Sequence, residues 1–277
     1  MSSFNLIVQG KALAMDVLAE LAVEAGSPAI EPLGKQAWRF LDAKADTRET
    51  MAQYCRELEC DWAFVPAGIT LEHFGLWMTD MDSTLITIEC IDEIADATGK
   101  KAEVAAITEA TMRGEITDFK DSLRQRVGKL VGVTEADMAR VLAERLKLSP
   151  GAETLVRAAK AAGLKVLLVS GGFTYFAEHV RGLLNIDFVR ANVLEIKNGA
   201  LTGGLVEQAW GDICDGAEKR RTLLEVASLI GIDASQCIAV GDGSNDIPMM
   251  QAAGLSVAFH AKPRVRSVAQ VCINEGG

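Results

Sequence analysis

Leu76-Trp77-Met78-Thr79-Asp80-Met81-Asp82-Ser83-Thr84 decides the fold: a short apolar run stops abruptly at two acids and two hydroxyls. A run of this length, bounded by turn chemistry, reads as a strand buried on both faces. Three more runs follow the same pattern. Residues 166–169 precede Ser170-Gly171-Gly172, residues 238–240 precede Gly241-Asp242-Gly243-Ser244-Asn245-Asp246, and residues 255–259 form the last run. Helical stretches separate them, and that alternation predicts an α/β domain with a parallel sheet covered by helices. Ligands of such sheets bind just beyond the carboxyl ends of the strands, so the three polar clusters are expected in one crevice.

Residues 88–150 carry helical periodicity and almost no strand signal. The stretch is too long for one crossover helix and predicts a helical cap, about 88–149, inserted into a core of about 73–87 and 150–277. Residues 1–72 read as a separate small α+β module. Strands are expected near 4–8, 37–41 and 62–65, helices near 11–25 and 47–59, with a break at Pro66-Ala67-Gly68.

The chemistry lies in the clusters. Asp80, Asp82, Asp242 and Asp246 in one dry pocket would repel one another and raise each other's pKa, which a hard divalent cation relieves. Magnesium suits an all-oxygen set of carboxylates completed by water and phosphate. Ser170 and the amides after it offer donors for phosphate oxygens, and Lys219 offers a cationic contact. Alone, Lys219 would pass for a solvated surface lysine; the crevice gives it meaning.

These motifs, in this order, resemble those of the haloacid dehalogenase superfamily. Within it, residues 80–85 followed by Glu89, Ile91-Asp92-Glu93-Ile94, Phe119 and Leu123-Arg124-Gln125-Arg126-Val127 resemble the phosphoserine phosphatases, over about residues 76–275. Met81 stands where that family often has phenylalanine and can keep an apolar role. The resemblance implies a phosphatase with Asp80 as nucleophile and Asp82 as general acid and base. Magnesium would be held by Asp80, the main-chain carbonyl of Asp82, and Asp242, with Asp246 in support. Ser170, Gly171, Lys219 and Asn245 would grip the phosphoryl group. Glu89 would meet the substrate ammonium and Arg126 its carboxylate, while Phe119 and Met112 close the cap. The small module resembles the amino-acid-binding ACT modules attached to some of these enzymes, which would make serine its ligand. Rival readings are a relative acting on another small phosphate ester, one passing the phosphoryl group to an alcohol, and a phospho-acceptor switch; Asp82, a base beside the nucleophile, argues against the switch.

Composition narrows the classes. Twenty-eight basic residues against 38 acidic ones give a net charge of −10, which argues against nucleic acid or an anionic membrane as partner. The six cysteines lie scattered without a C-x-x-C pair, and the early apolar stretch is broken by Asp16 and Glu20, which together predict a cytoplasmic protein with no export signal. His73, His179 and His260 have no ligand spacing. Expected partners are phosphoserine and, as further options, a second copy in a homodimer and serine on the module.

Overall fold

The computed structural model describes residues 3–276. The chain runs through β1 (Phe4–Gln9), α1 (Met15–Glu24), β2 (Ala29–Gly34), β3 (Ala37–Ala43), α2 (Arg48–Glu57) and β4 (Asp61–Pro66). These make a four-stranded antiparallel sheet in the order β2-β3-β1-β4. A core of Leu6, Val8, Leu18, Leu21, Phe40, Met51 and Cys55 lies between the sheet and the two helices. The sequence reading lacked β2. That strand is mostly exposed and contains Pro32, so neither apolar alternation nor strand propensity marks it.

The rest begins with β5 (Leu76–Thr79) and the cap helices α3 (Cys90–Ala97), α4 (Lys101–Met112), α5 (Phe119–Gly128) and α6 (Glu135–Glu144). Then come α7 (Ala152–Ala161), β6 (Lys165–Phe173), α8 (Thr174–Leu184), β7 (Phe188–Lys197), β8 (Ala200–Val206) and α9 (Gly216–Leu229). The chain finishes with β9 (Cys237–Gly241), α10 (Ile247–Ala252), β10 (Leu255–Phe259), α11 (Pro263–Arg266) and β11 (Val271–Ile273). Seven strands form one sheet in the order β11-β10-β9-β5-β6-β7-β8, parallel except for the β7–β8 hairpin.

Strand β5 is central and all four of its residues are buried. Its period-2 alternation divides the core into two layers. Leu76 and Met78 join Leu167, Val169, Cys237 and Ala239 against α9, α10 and α11. Trp77 joins Val166, Leu168, Ile238 and Val240 on the other face, which is continuous with the cap. The order reverses at β5: the chain moves out to β8 on one side and returns at β9 on the other. A crevice opens at that switch point.

Main-chain bonds tie the cap down at two places. Where it leaves and rejoins the core, Ile86 bridges Leu148 and Ser149 N–H donates to Leu85 O at 3.0 Å. At its rear, Gly132 N–H donates to Leu201 O at 2.9 Å and Leu201 N–H to Val133 O at 2.8 Å, stitching the cap to the hairpin.

A buried side chain of β4 ties the first sheet to the C-terminal segment beside β11. Asp61, at the start of β4, accepts backbone N–H groups from Asn274 (2.6 Å), Glu275 (3.1 Å) and Gly276 (2.8 Å). Hydrogen bonds to a charged acceptor are stronger than neutral ones, and donors that lose it while partly buried incur a desolvation penalty. Asp61→Ala is therefore expected to lower unfolding stability by about 1–3 kcal/mol and to speed amide exchange at residues 271–276. Urea denaturation together with exchange measurements checks this; a wild-type midpoint and unchanged exchange would refute it.

Candidate active site

Asp80 follows β5 directly, and its N–H donates to Val240 O at 3.0 Å, which locks the acid into the crevice. Its Oδ1 accepts from Met81 N–H at 2.7 Å and from Lys219 Nζ at 2.8 Å, leaving Oδ2 uncommitted by these contacts. Met81, between the acids, is fully buried in the apolar core. Ser83 takes a left-handed backbone (φ 55°) and its hydroxyl donates to Glu89 Oε1 at 2.7 Å. Non-glycine residues in that region cost energy and cluster at functional sites. Here the strained turn brings Glu89 back beside Asp82.

Lys219 rises from the first turn of α9 and is wholly buried between Asp80 and Asp246 (2.7 Å). Burial works against its ammonium, but Asp246 and Asp80 outweigh it and hold the pKa above the ordinary lysine range. Asp246 also accepts from the N–H groups of Asp242 (3.1 Å) and Gly243 (2.9 Å), folding the loop after β9 around its carboxylate. That loop requires glycine at 241, where a Cβ would stand 2.4 Å from the Asp246 carboxylate.

Burial, then Asp246, push Asp80 up against the pull of Lys219. Burial, Asp246 and Glu89 raise Asp242 to about 6, opposed by the Thr84 hydroxyl that donates to it at 3.1 Å. Burial and Glu89 raise Asp82 to about 7, although the Cys90 thiol (3.0 Å) and N–H (3.4 Å) both donate to it. Carboxylate oxygens of Asp80, Asp242 and Asp246 come within 4.8 Å of one another. An all-oxygen, partly buried, excess-negative cluster of this size fits a hard divalent cation, and one ammonium does not neutralise it.

The predicted phosphate-binding groups border the cluster. Ser170, fully buried, accepts Gly172 N–H at its Oγ (2.8 Å). Asn245 and Phe119 flank Gly171, and a Cβ at 171 would stand 3.0 Å from the Phe119 ring and 3.7 Å from Asn245 Nδ2. The glycine is what lets the cap ring approach this closely. Arg126 projects from α5 with its Nε buried; among the described residues this is the buried side-chain nitrogen or oxygen without a hydrogen-bond partner. Burial lowers its pKa, with Asp92, Glu89 and Asp82 opposing. Met112 stands apart from this gathering: at the C-terminal end of α4 it is 78% exposed, so the structure gives no packing basis for the closing role expected of it.

A model of the haloacid dehalogenase-like hydrolases matches residues 78–251. A phosphoserine phosphatase of Albidiferax ferrireducens is 65% identical over 209 residues, covering 76% of this chain and 88% of that one. The chain belongs to the phosphoserine phosphatase family of haloacid dehalogenase-like hydrolases. The unliganded crystal structure of a probable phosphoserine phosphatase from Vibrio cholerae superposes with a TM-score of 0.83 at 37% identity, covering 99% of this chain and 83% of that chain. A phospho-aspartyl intermediate analogue of phosphoserine phosphatase gives 0.67 at 37% identity, over 73% of this chain and 93% of that one.

The sequence motifs do not mark Asn192, which positions the phosphate loop. Buried Asn192 of β7 donates to Gly171 O (2.8 Å) and accepts from Cys214 N–H (2.8 Å), so it fixes the carbonyl of one phosphate-loop residue to the segment leading into α9. No local motif marks it, because its partners are 21 and 22 residues away.

The electrostatics predict how a cation acts on stability. Asp242 and Asp80 have folded pKa values above the ordinary carboxyl value of about 4. Without a cation their contribution favours the folded state below that value and is lost as pH rises through about 6. A cation that binds the ionised carboxylates reverses this loss. Magnesium should therefore raise the Tm more at pH 8 than at pH 5 in calorimetry; an equal rise at both, or none, would contradict the reading.

Proposed function

We propose that the protein hydrolyses O-phospho-L-serine to serine and phosphate, with magnesium as its cation and an aspartyl phosphate on Asp80 as intermediate. The observation that carries the substrate choice is Arg126, a guanidinium with a buried, unpaired Nε close enough to Glu89 and Asp82 to feel both charges. An unpaired buried donor is costly, so the position favours a ligand that completes it, and a carboxylate fits a guanidinium in two-pronged fashion. Glu89 beside it offers the complementary partner for an ammonium. Phosphoserine carries both groups; most small phosphate esters carry neither.

The steps follow from the chain's own groups. Lys219 and Met81 N–H hold one Asp80 oxygen, and the other attacks phosphorus as the bond to the serine oxygen breaks. Asp82, raised to about 7, is partly protonated at neutral pH and gives its proton to that oxygen. The same carboxylate, now ionised, takes a proton from water as the water attacks phosphorus and the bond to Asp80 breaks. Asp80, the main-chain carbonyl of Asp82, and Asp242, with Asp246 in support, would hold magnesium, which when bound would supply positive charge to offset the negative charge of the phosphoryl oxygens. Ser170, the amide of Gly171, Lys219 and Asn245 orient those oxygens. Phe119 over Gly171 keeps bulk water out. The relative captured as a phospho-aspartyl intermediate analogue supports the covalent route.

In the same reading residues 1–72 are a separate ACT-like module, 73–277 the phosphatase unit and about 88–149 its cap. Support comes from the first sheet and its hydrophobic cluster, which lie wholly within residues 4–66. Six free thiols, five of them buried, suit work in the cytoplasm, and among the described residues no helix is long and apolar enough to cross a membrane.

Purified protein should release phosphate from L-phosphoserine with magnesium and stop when it is chelated; failure of phosphoserine under conditions where an aryl phosphate turns over would refute the assignment. Glu89→Gln and Arg126→Lys should each lower kcat/KM for phosphoserine by about tenfold or more, since a hydrogen bond to a charged group contributes roughly 1.5–3 kcal/mol. An aryl phosphate should be affected much less. An equal loss on both substrates would mean that these residues serve the common chemistry or the fold.

A further inference from the structure

The cap helix that carries Phe119 and Arg126 bears two basic side chains that reach a carboxylate of the core which the reaction does not use. Asp212 accepts from Lys120 Nζ at 2.8 Å and from the guanidinium of Arg124, both on α5. The Lys120 ammonium also stands 3.7 Å from Asp215, whose side chain caps the N-terminus of α9 by accepting Glu218 N–H at 2.8 Å. Lys219 belongs to that first turn. The ion pairs therefore join the helix holding the carboxylate-binding arginine to the helix holding the buried lysine.

Asp212 sits on a fixed support. Gln208 and Gly211 exchange two backbone hydrogen bonds (2.9 and 3.0 Å), closing a tight loop just before it. Ile213 N–H donates back to Asp212 Oδ1 at 2.9 Å, which sets the carboxylate's direction. The Arg190 guanidinium lies 5.5 Å from the Trp210 ring and steadies the same loop. At the rear, by contrast, the cap is sewn to the β7–β8 hairpin through main-chain bonds. The cap thus has one edge bonded through the main chain and another held by solvent-accessible charge pairs.

We infer that Asp212 is a positioning residue: its pairs with Lys120 and Arg124 hold α5 down, so that Phe119 lies on Gly171 and Arg126 is aimed into the crevice before substrate arrives. The inference rests on the phosphoserine reading for its kinetic part only. Exposed charge pairs are individually weak and are screened by salt, which suits a latch that must open each turnover. Once phosphoserine is bound, its carboxylate on Arg126 supplies a second hold on the same helix. Loss of the latch should therefore be felt in substrate capture and much less in turnover at saturation.

The test uses the full chain with Asp212→Asn, Asp212→Glu and Arg124→Gln. Asp212→Asn and Arg124→Gln should raise KM for phosphoserine about three- to tenfold, the range of one or two partly exposed pairs, with kcat within about twofold of wild type. Asp212→Glu, which keeps the charge, should recover most of the loss. Without any substrate, hydrogen exchange in Asp212→Asn should quicken at residues 119–124 and stay at the wild-type rate at residues 132–135. An unchanged KM in an enzyme that does hydrolyse phosphoserine would overturn the inference. So would exchange that is unchanged, or that quickens equally at both segments, since Asp212 would then serve the fold as a whole. If wild-type protein ignores phosphoserine, the substrate reading fails and the exchange result alone decides the latch.

Discussion

A buried ammonium, Lys219 Nζ, stands 2.8 Å from Asp80 and 2.7 Å from Asp246, and much of the large module is arranged around that three-way contact. Taking a charge wholly out of water costs several kcal/mol unless opposite charge and hydrogen bonds compensate. Two carboxylates do compensate, but they bring a surplus of negative charge that Asp242 and Asp82 enlarge. The lysine can hold the acids together and cannot neutralise them all. This imbalance is why the cluster fits a cation; burial first, and neighbouring carboxylates second, raise the pKa values of Asp80, Asp82 and Asp242. The two key acids differ in their partners: Asp80 is held by Lys219 and Met81 N–H, while Asp82, farther along the loop, faces Glu89 and the Cys90 thiol and N–H.

The constraint propagates outward through the sheet. Asp80 and Asp246 can meet only if β5 and β9 are neighbours, and they pair in parallel from Leu76↔Cys237 to Thr79↔Val240. Lys219 reaches both acids because α9 packs against the face built by Leu76, Met78 and Ala239. The opposite face carries the cap, so that one strand end collects chemistry from below and substrate recognition from above. Phe119 against Gly171 is where the two meet.

The acid clusters were legible in the sequence because a parallel sheet converts strand ends into one place, whatever the distance along the chain. The four central strands were legible for a related reason, being short and predominantly apolar runs. What escaped notice lay at the sheet's edges. Strand β2 is polar and mostly exposed, and β11 is three residues long. The β7–β8 hairpin did carry a signal, Asn198-Gly199, both with positive φ at the turn, but its mixed strands hid it. Asn192 and Asp212 were illegible for another reason: each acts across the fold on backbone or charge far along the chain. Met112 shows the converse limit. A position carried over from a family pattern falls on an exposed helix end, where only the local chain, not the motif, decides what it touches.

The central claim is that the oxygen of Asp80 not held by Lys219 becomes bonded to phosphorus. Acid quenching of the protein during turnover of L-phosphoserine with magnesium, followed by peptide mass spectrometry, tests it directly. The account predicts a phosphoryl adduct, labile to base, on the peptide containing Asp80, and no adduct in Asp80→Asn, which should also be inactive. An adduct on another residue, or an Asp80→Asn protein that turns over like wild type, would contradict it.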